Sequence, residues 1–156
     1  MDLDPDKRFM QEALKLAVMA FEADEVPVGA VIVHKNTIIA KAHNQVEALK
    51  DPSAHAEMIA ITSAANALGQ KWLHQCTMYV TLEPCAMCTG ALVLSRIERL
   101  VFAARDPKAG ACGSIVNLAQ HDKLNHKLVI TSGVMENECS ALMSDFFKMK
   151  RMKIWT

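Results

Sequence analysis

Two short segments constrain this chain most: His55-Ala56-Glu57, and Pro84-Cys85-Ala86-Met87-Cys88, with 27 residues between Glu57 and Cys85. Any fold that uses both must bring two distant helix starts to one point. Cysteines three apart on the first turn of a helix put both sulfurs on one side, within reach of one ion. Pro84 suits the start of that helix, because proline lacks an amide donor that would be free there anyway. Asp51-Pro52-Ser53 breaks the chain just before His55, so the imidazole opens a different helix. One nitrogen and two sulfurs leave a tetrahedral position open, which marks a catalytic zinc rather than a structural one. Glu57 is two residues from His55, and successive helical side chains diverge by about 100°. It need not touch the ion, and can stand over a water and move protons.

Taken alone, each part has a plainer meaning. A lone histidine is usually packed or capping. A lone Cys-x-x-Cys suits zinc, an iron–sulfur cluster or thiol exchange. A redox pair, however, leaves His55 and Glu57 without a use, and a structural zinc wants a fourth ligand. The remaining cysteines are Cys76, Cys112 and Cys139. Cys76 and Cys139 read as buried thiols, while Cys112 sits in a Gly-rich stretch nearer the site. The odd cysteine count and the acidic opening residues Asp2, Asp4 and Asp6 argue against a secreted disulfide scaffold. No long apolar run suggests a membrane span, so a soluble cytoplasmic protein is expected.

Periodicity supplies the fold class. Apolar residues at helical spacing predict helices over 6–23, 54–68, 85–94 and 138–153. Short apolar runs predict strands over 28–33, 37–42, 76–82, 100–104 and 128–131, the first two joined as a hairpin at Lys35-Asn36. Helices between strands point to an α/β fold of three layers, α-β-α, with a central mixed five-stranded sheet covered on both faces. At 156 residues, the chain reads as a single domain over 1–156. Residues 105–127 are the least regular.

Net charge is zero, but the charges are segregated. Residues 1–57 hold ten acidic and six basic side chains; residues 58–156 hold seven acidic and eleven basic. The densest basic run is Lys148, Lys150, Arg151 and Lys153. It reads either as a solvated helix end or as a phosphate-binding face.

His-x-Glu followed by Pro-Cys-x-x-Cys is the signature of zinc-dependent nucleobase deaminases. The chain resembles, in particular, the bacterial tRNA-specific adenosine deaminases of the cytidine deaminase-like superfamily. Beyond the zinc motifs, the resemblance rests on several segments: 25–31 (Glu-Val-Pro-Val-Gly-Ala-Val), Asn44, 79–85, Ala104-Arg105-Asp106, Gly113-Ser114, Asn125-His126 and Ser144-Asp145-Phe146-Phe147. It implies a hydrolase that converts the wobble adenosine of a tRNA anticodon, that of an arginine tRNA, to inosine and releases ammonia. In that reaction a zinc-bound hydroxide attacks purine C6 and Glu57 shuttles protons. The resemblance further implies one zinc per chain on His55, Cys85 and Cys88, a homodimer, and the anticodon stem-loop as partner, without a membrane. Asn44 would bond the purine edge, and Val28 and the backbone near Ala56 would frame the base. Asp106 would meet the ribose. Phe147 and the neighbouring basic residues would contact the flanking loop.

Physical chemistry agrees in outline while leaving alternatives open. Asn44 presents a donor and an acceptor, but can also cap a turn. Asp106 can accept a 2′-hydroxyl proton, cap its own loop or pair with Arg105. Phe147 fits a core position by periodicity alone. Trp155 could stack on a base or pack on a partner. The nearest rival function is a zinc deaminase of a free nucleobase or nucleoside such as guanine. A non-catalytic zinc module that binds RNA is the more distant one.

Overall fold

The computed structural model describes residues 4–154, so Asp2 and Trp155 lie outside the described residues. The element order is α1 (Pro5–Glu22), β1 (Gly29–His34), β2 (Thr37–His43), α2 (Val46–Leu49), α3 (Ala56–Leu68), β3 (Cys76–Leu82), α4 (Ala86–Leu94), β4 (Arg99–Ala104), β5 (Val129–Ser132) and α5 (Glu136–Ile154). The strands form one mixed sheet in the order β2-β1-β3-β4-β5. β1 runs antiparallel to β2 and β3, whereas β3, β4 and β5 are mutually parallel.

Side-chain alternation along the strands divides the core in two. Ala30, Ile32, Met78, Val80, Leu100 and Phe102 face one side and pack on Ala56, Ala60 and Ala64 of α3 and Leu92 of α4. Val31, Val33, Tyr79, Val101 and Ala103 face the other, against Phe9, Met10 and Ala13 of α1 and Cys139 of α5. This is the three-layer arrangement expected from the sequence. A small-residue stripe lets α1 approach the sheet closely. A Cβ placed on Gly29 would lie 2.1 Å from the Ala13 carbonyl oxygen and 2.6 Å from the Ala17 nitrogen. Only glycine fits there.

Every expected helix and strand is present, with ends shifted by two residues at most. Lys35 and Asn36 both take positive φ, 50° and 63°, as a two-residue mirror-type turn requires. The short α2 was not expected, because four residues cannot display a period. Its N-terminal amides, those of Glu47 and Ala48, donate to the buried carboxylate of Glu25 at 2.9 and 2.8 Å. The acidic start of the chain is also engaged. Asp4 caps α1, and Asp6 accepts from the Tyr79 hydroxyl and from both Arg99 terminal nitrogens. Among the described residues, no helix is long and apolar enough to cross a membrane.

Candidate metal centre and nucleotide cleft

The C-terminal ends of β2, β3 and β4 and the N-terminal end of β1 lie along one edge of the sheet, since Gly29 pairs with His43, Ala30 with Val80, and Leu82 with Ala104. In α/β sheets, loops at carboxyl ends of strands, near a switch in strand direction, form ligand crevices. Here they line a cleft of about 1560 Å³. His55, Glu57, Cys85, Val28, Asn44 and Asp106 line it, as do Phe147, Lys148 and Arg151 of α5.

His55 and Cys85 are the N-cap residues of α3 and α4, each with extended backbone. Their side chains therefore project off the helix starts. Cys88 follows in the first turn of α4 and is fully buried. His55 Nδ1 lies 3.7 Å from Cys85 Sγ and 3.5 Å from Cys88 Sγ. A tetrahedral zinc with ordinary Zn–N and Zn–S bonds separates its nitrogen and sulfur ligands by about 3.6 Å. The three donor atoms therefore fit that ion in spacing and in chemistry. No other group of three His, Cys, Asp or Glu side chains among the described residues makes such a cluster. The Cys88 thiol and the His55 ring beside Cys85 bring its thiol down to about 3, which favours the thiolate there, while the Cys85 sulfur and burial push the Cys88 thiol up. Cys112 stays outside the triad. Its buried thiol is pushed up to about 12, and its sulfur sits 3.3 Å from Thr89 Oγ1.

Glu57 is almost fully buried in the first turn of α3. Burial lifts its carboxyl to about 7, against the opposing pull of the His55 charge. A carboxyl at that value can both accept and return a proton near neutrality.

Asn44 has a double role. Its side-chain oxygen accepts the Ala56 amide of α3 at 2.8 Å, and its backbone amide donates to the Val28 carbonyl at 3.1 Å. The capping role and the cleft position thus coexist. Because the acceptor is committed to α3, the side-chain amino group is what remains for a ligand. Ala56 itself packs in the core and gives its amide to Asn44, so its influence on the cleft passes through that residue.

Asp106 follows β4 at the cleft wall. Its Oδ1 accepts the amides of Lys108 at 3.0 Å and Ala109 at 3.2 Å, so it caps its own loop. Arg105 instead lies over the Phe102 ring and donates to Ser132. The sequence reading missed Glu83, which is 2% exposed and binds three backbone amides of this loop together with the Ser114 hydroxyl. Its carboxyl is held below the usual range, because these bonds outweigh the raising effect of burial. Glu25 was missed in the same way. A carboxylate directly after an apolar strand was the only local hint of Glu83.

On α5, Phe146 is the inward residue, in edge contact with Phe21. Phe147 is 42% exposed and faces the cleft, not the core position that periodicity alone allowed. Lys148 and Arg151 line the cleft beside it. Lys150 also lines it, but pairs with Asp24 at 2.7 Å, and Lys153 approaches the same carboxylate at 3.9 Å.

Residues 3–104 match the cytidine and deoxycytidylate deaminase zinc-binding region. The tRNA-specific adenosine deaminase of Bacillus subtilis (strain 168) is 50% identical over 148 residues, covering 95% of this chain and 92% of that protein. A solved chain from work on A-to-I editing by tRNA:A34 deaminases at the wobble position of transfer RNA superposes with a TM-score of 0.84 at 43% identity. That match covers 86% of this chain and 98% of the other. A guanine deaminase from Nitrosomonas europaea superposes with a TM-score of 0.76 at 25% identity, over 90% of this chain and 83% of that one.

Proposed function

The chain belongs to the tRNA-specific adenosine deaminases, zinc-dependent members of the cytidine deaminase family, and on that premise we propose that it converts the wobble adenosine of a tRNA anticodon to inosine. We assign the anticodon stem-loop of an arginine tRNA as substrate, residues 1–156 as one catalytic domain, and a homodimer as the working form. The observation that carries the reading is the cleft: at about 1560 Å³ it runs from the zinc triad to the exposed Phe147. Sites for single small molecules commonly span about 300–1,000 Å³. The extra room and the basic rim suit several nucleotides.

In this reading His55 Nδ1 and the sulfurs of Cys85 and Cys88 hold zinc. When bound, it supplies the Lewis acidity that makes water a nucleophile near neutral pH. Glu57 takes a proton from the water and delivers it to purine N1. It then moves the second proton to the departing amine, so that water and adenosine give inosine and ammonia. The Asn44 amino group donates to an acceptor nitrogen of the purine, and Val28 closes the base pocket. Asp106 accepts the ribose 2′-hydroxyl proton, which a DNA substrate cannot offer. Phe147 stacks on a flanking base, while Lys148 and Arg151 meet phosphates. A loop adenosine is already partly unstacked, so turning it into the cleft costs little.

Purified protein is incubated with an anticodon stem-loop and, separately, with adenosine, guanosine, guanine and cytidine. Product mass should show an oxygen-for-NH exchange in the RNA alone. Comparable turnover of a free compound would transfer the assignment to the free-base reading, which the guanine deaminase likeness keeps in view. Glu57→Gln should retain about one zinc per chain and lose turnover. Full activity in that variant would remove Glu57 from the mechanism.

A further inference from the structure

Asp106 reaches the cleft wall only because something fixes the loop that carries it. The Asp106 amide donates to Glu83 Oε1 at 3.0 Å, and the amides of Cys112 and Ser114 donate to Oε2 at 3.0 and 3.1 Å. The Ser114 hydroxyl also donates to Oε1. Glu83 is itself rooted in the sheet, since its amide donates to the Ala104 carbonyl at 2.8 Å. The loop closes over it so tightly that a Cβ on Gly110 would lie 2.4 Å from the Glu83 carboxyl carbon. The amides of Lys108 and Ala109 then pin Asp106 Oδ1. Among the described residues, no protein donor meets Asp106 Oδ2, which is left for a ligand.

We propose that Glu83 is the positioning residue that holds Asp106 at the ribose end of the cleft, and so sets the preference for a ribonucleotide target over a deoxyribonucleotide. This rests on the role given to Asp106 above. The bonding pattern separates Glu83 from a general loop anchor. Glutamine offers one oxygen and one amino group. In Glu83→Gln the oxygen settles at Oε2, where two amides need an acceptor. The amino group then faces the Ser114 hydroxyl, which can rotate to accept, and the Asp106 amide, which cannot. The substitution thus releases Asp106 and spares the rest of the loop.

Two substrates are compared: the stem-loop RNA, and the same RNA with 2′-deoxyadenosine at the target position alone. The measured quantity is the ratio of their kcat/KM values, with zinc content checked for each variant. Asp106→Asn should lower the ratio about tenfold, the usual worth of a charged over a neutral acceptor. Glu83→Gln should lower it about fivefold, mostly through a raised KM for the RNA. A merely structural role would slow both substrates equally and leave the ratio unchanged. If Asp106→Asn lowers the ratio and Glu83→Gln does not, the positioning role is wrong. If Asp106→Asn leaves the ratio unchanged, the ribose role of Asp106 falls and this inference falls with it. Hydrogen exchange on the parent enzyme gives a check that needs no folded variant. The Asp106 amide should be protected like the β4 amides, and exchange at the rate of an open loop would overturn the proposal.

Discussion

Replacing Asn44 by aspartate separates two jobs that one side chain performs. The side-chain oxygen caps α3 through the Ala56 amide at 2.8 Å, and the amino group is left facing the cleft. Aspartate keeps the capping oxygen and adds negative charge at a helix N-terminus, which is favourable by about 0.3–1 kcal/mol. Stability should therefore hold or rise, with Tm between the parental value and about 3 °C above it. In the proposed complex, however, the donor becomes an acceptor aimed at a purine lone pair, in the cleft that buried Glu57 also lines. A lost hydrogen bond plus an unpaired buried acceptor costs about 3 kcal/mol, or roughly a hundredfold in kcat/KM. Alanine removes both functions and should add a capping loss of about 1 kcal/mol, lowering Tm by about 2–4 °C. The assays are thermal unfolding of zinc-loaded protein and steady-state deamination of the stem-loop. An Asn44→Asp enzyme with parental kcat/KM would reduce Asn44 to a cap. A fall in Tm as large as that of Asn44→Ala would refute the capping geometry.

Gly29→Ala should lower Tm by roughly 10 °C in a calorimetric scan, because its Cβ meets helix backbone rather than a movable side chain; a shift under about 2 °C would refute that packing. Asp6→Asn should cost about 2 kcal/mol near neutrality by breaking the charged bonds to Arg99. The Arg99 bond holds the Asp6 carboxyl below its ordinary 3.8. Its stabilisation is thus complete above that value and lost as pH falls through the lowered one, so urea titrations of parent and variant should converge in acid. Exchanging Lys148 and Arg151 for glutamine should flatten the salt dependence of tRNA binding by about 1.5 in log–log slope. Asp24→Asn should instead steepen it and tighten binding, by freeing Lys150 for phosphate. An unchanged slope in both variants would put the RNA elsewhere.

The sheet and its helices were legible because β1, β3 and β4 are apolar on both faces and α1 and α3 carry regular small-residue stripes. The zinc triad was legible because helix N-termini leave sequence marks: Pro84 before one, Asp51-Pro52-Ser53 before the other. Glu25 and Glu83 were not, because nothing local distinguishes a buried carboxylate from an exposed one. Their partners lie 22 to 31 residues away in sequence and, the Ser114 hydroxyl apart, are backbone amides, which every residue but proline possesses. The pairing of Lys150 with Asp24 was hidden for a related reason. A charge run reports how many cations there are, not which of them the fold has already neutralised.

Glu25, Asn44 and Glu83 follow one physical rule. Each is buried, sits beyond an end of a secondary-structure element, and accepts backbone amides from a separate segment of the cleft wall: α2, α3 and the 106–114 loop. The walls therefore depend on polar anchors as well as on apolar packing. An apolar substitution at any anchor leaves buried amides without acceptors, at about 1–3 kcal/mol for each. Residues on the cleft side of the same segments carry no such penalty. A fold built this way can exchange the groups that read the nucleotide while the triad of His55, Cys85 and Cys88 stays fixed at the two helix starts. The constraint on evolving a new substrate then falls on three acceptors, of which Asn44 alone is given a contact with the nucleotide and Glu25 and Glu83 serve through the segments they hold.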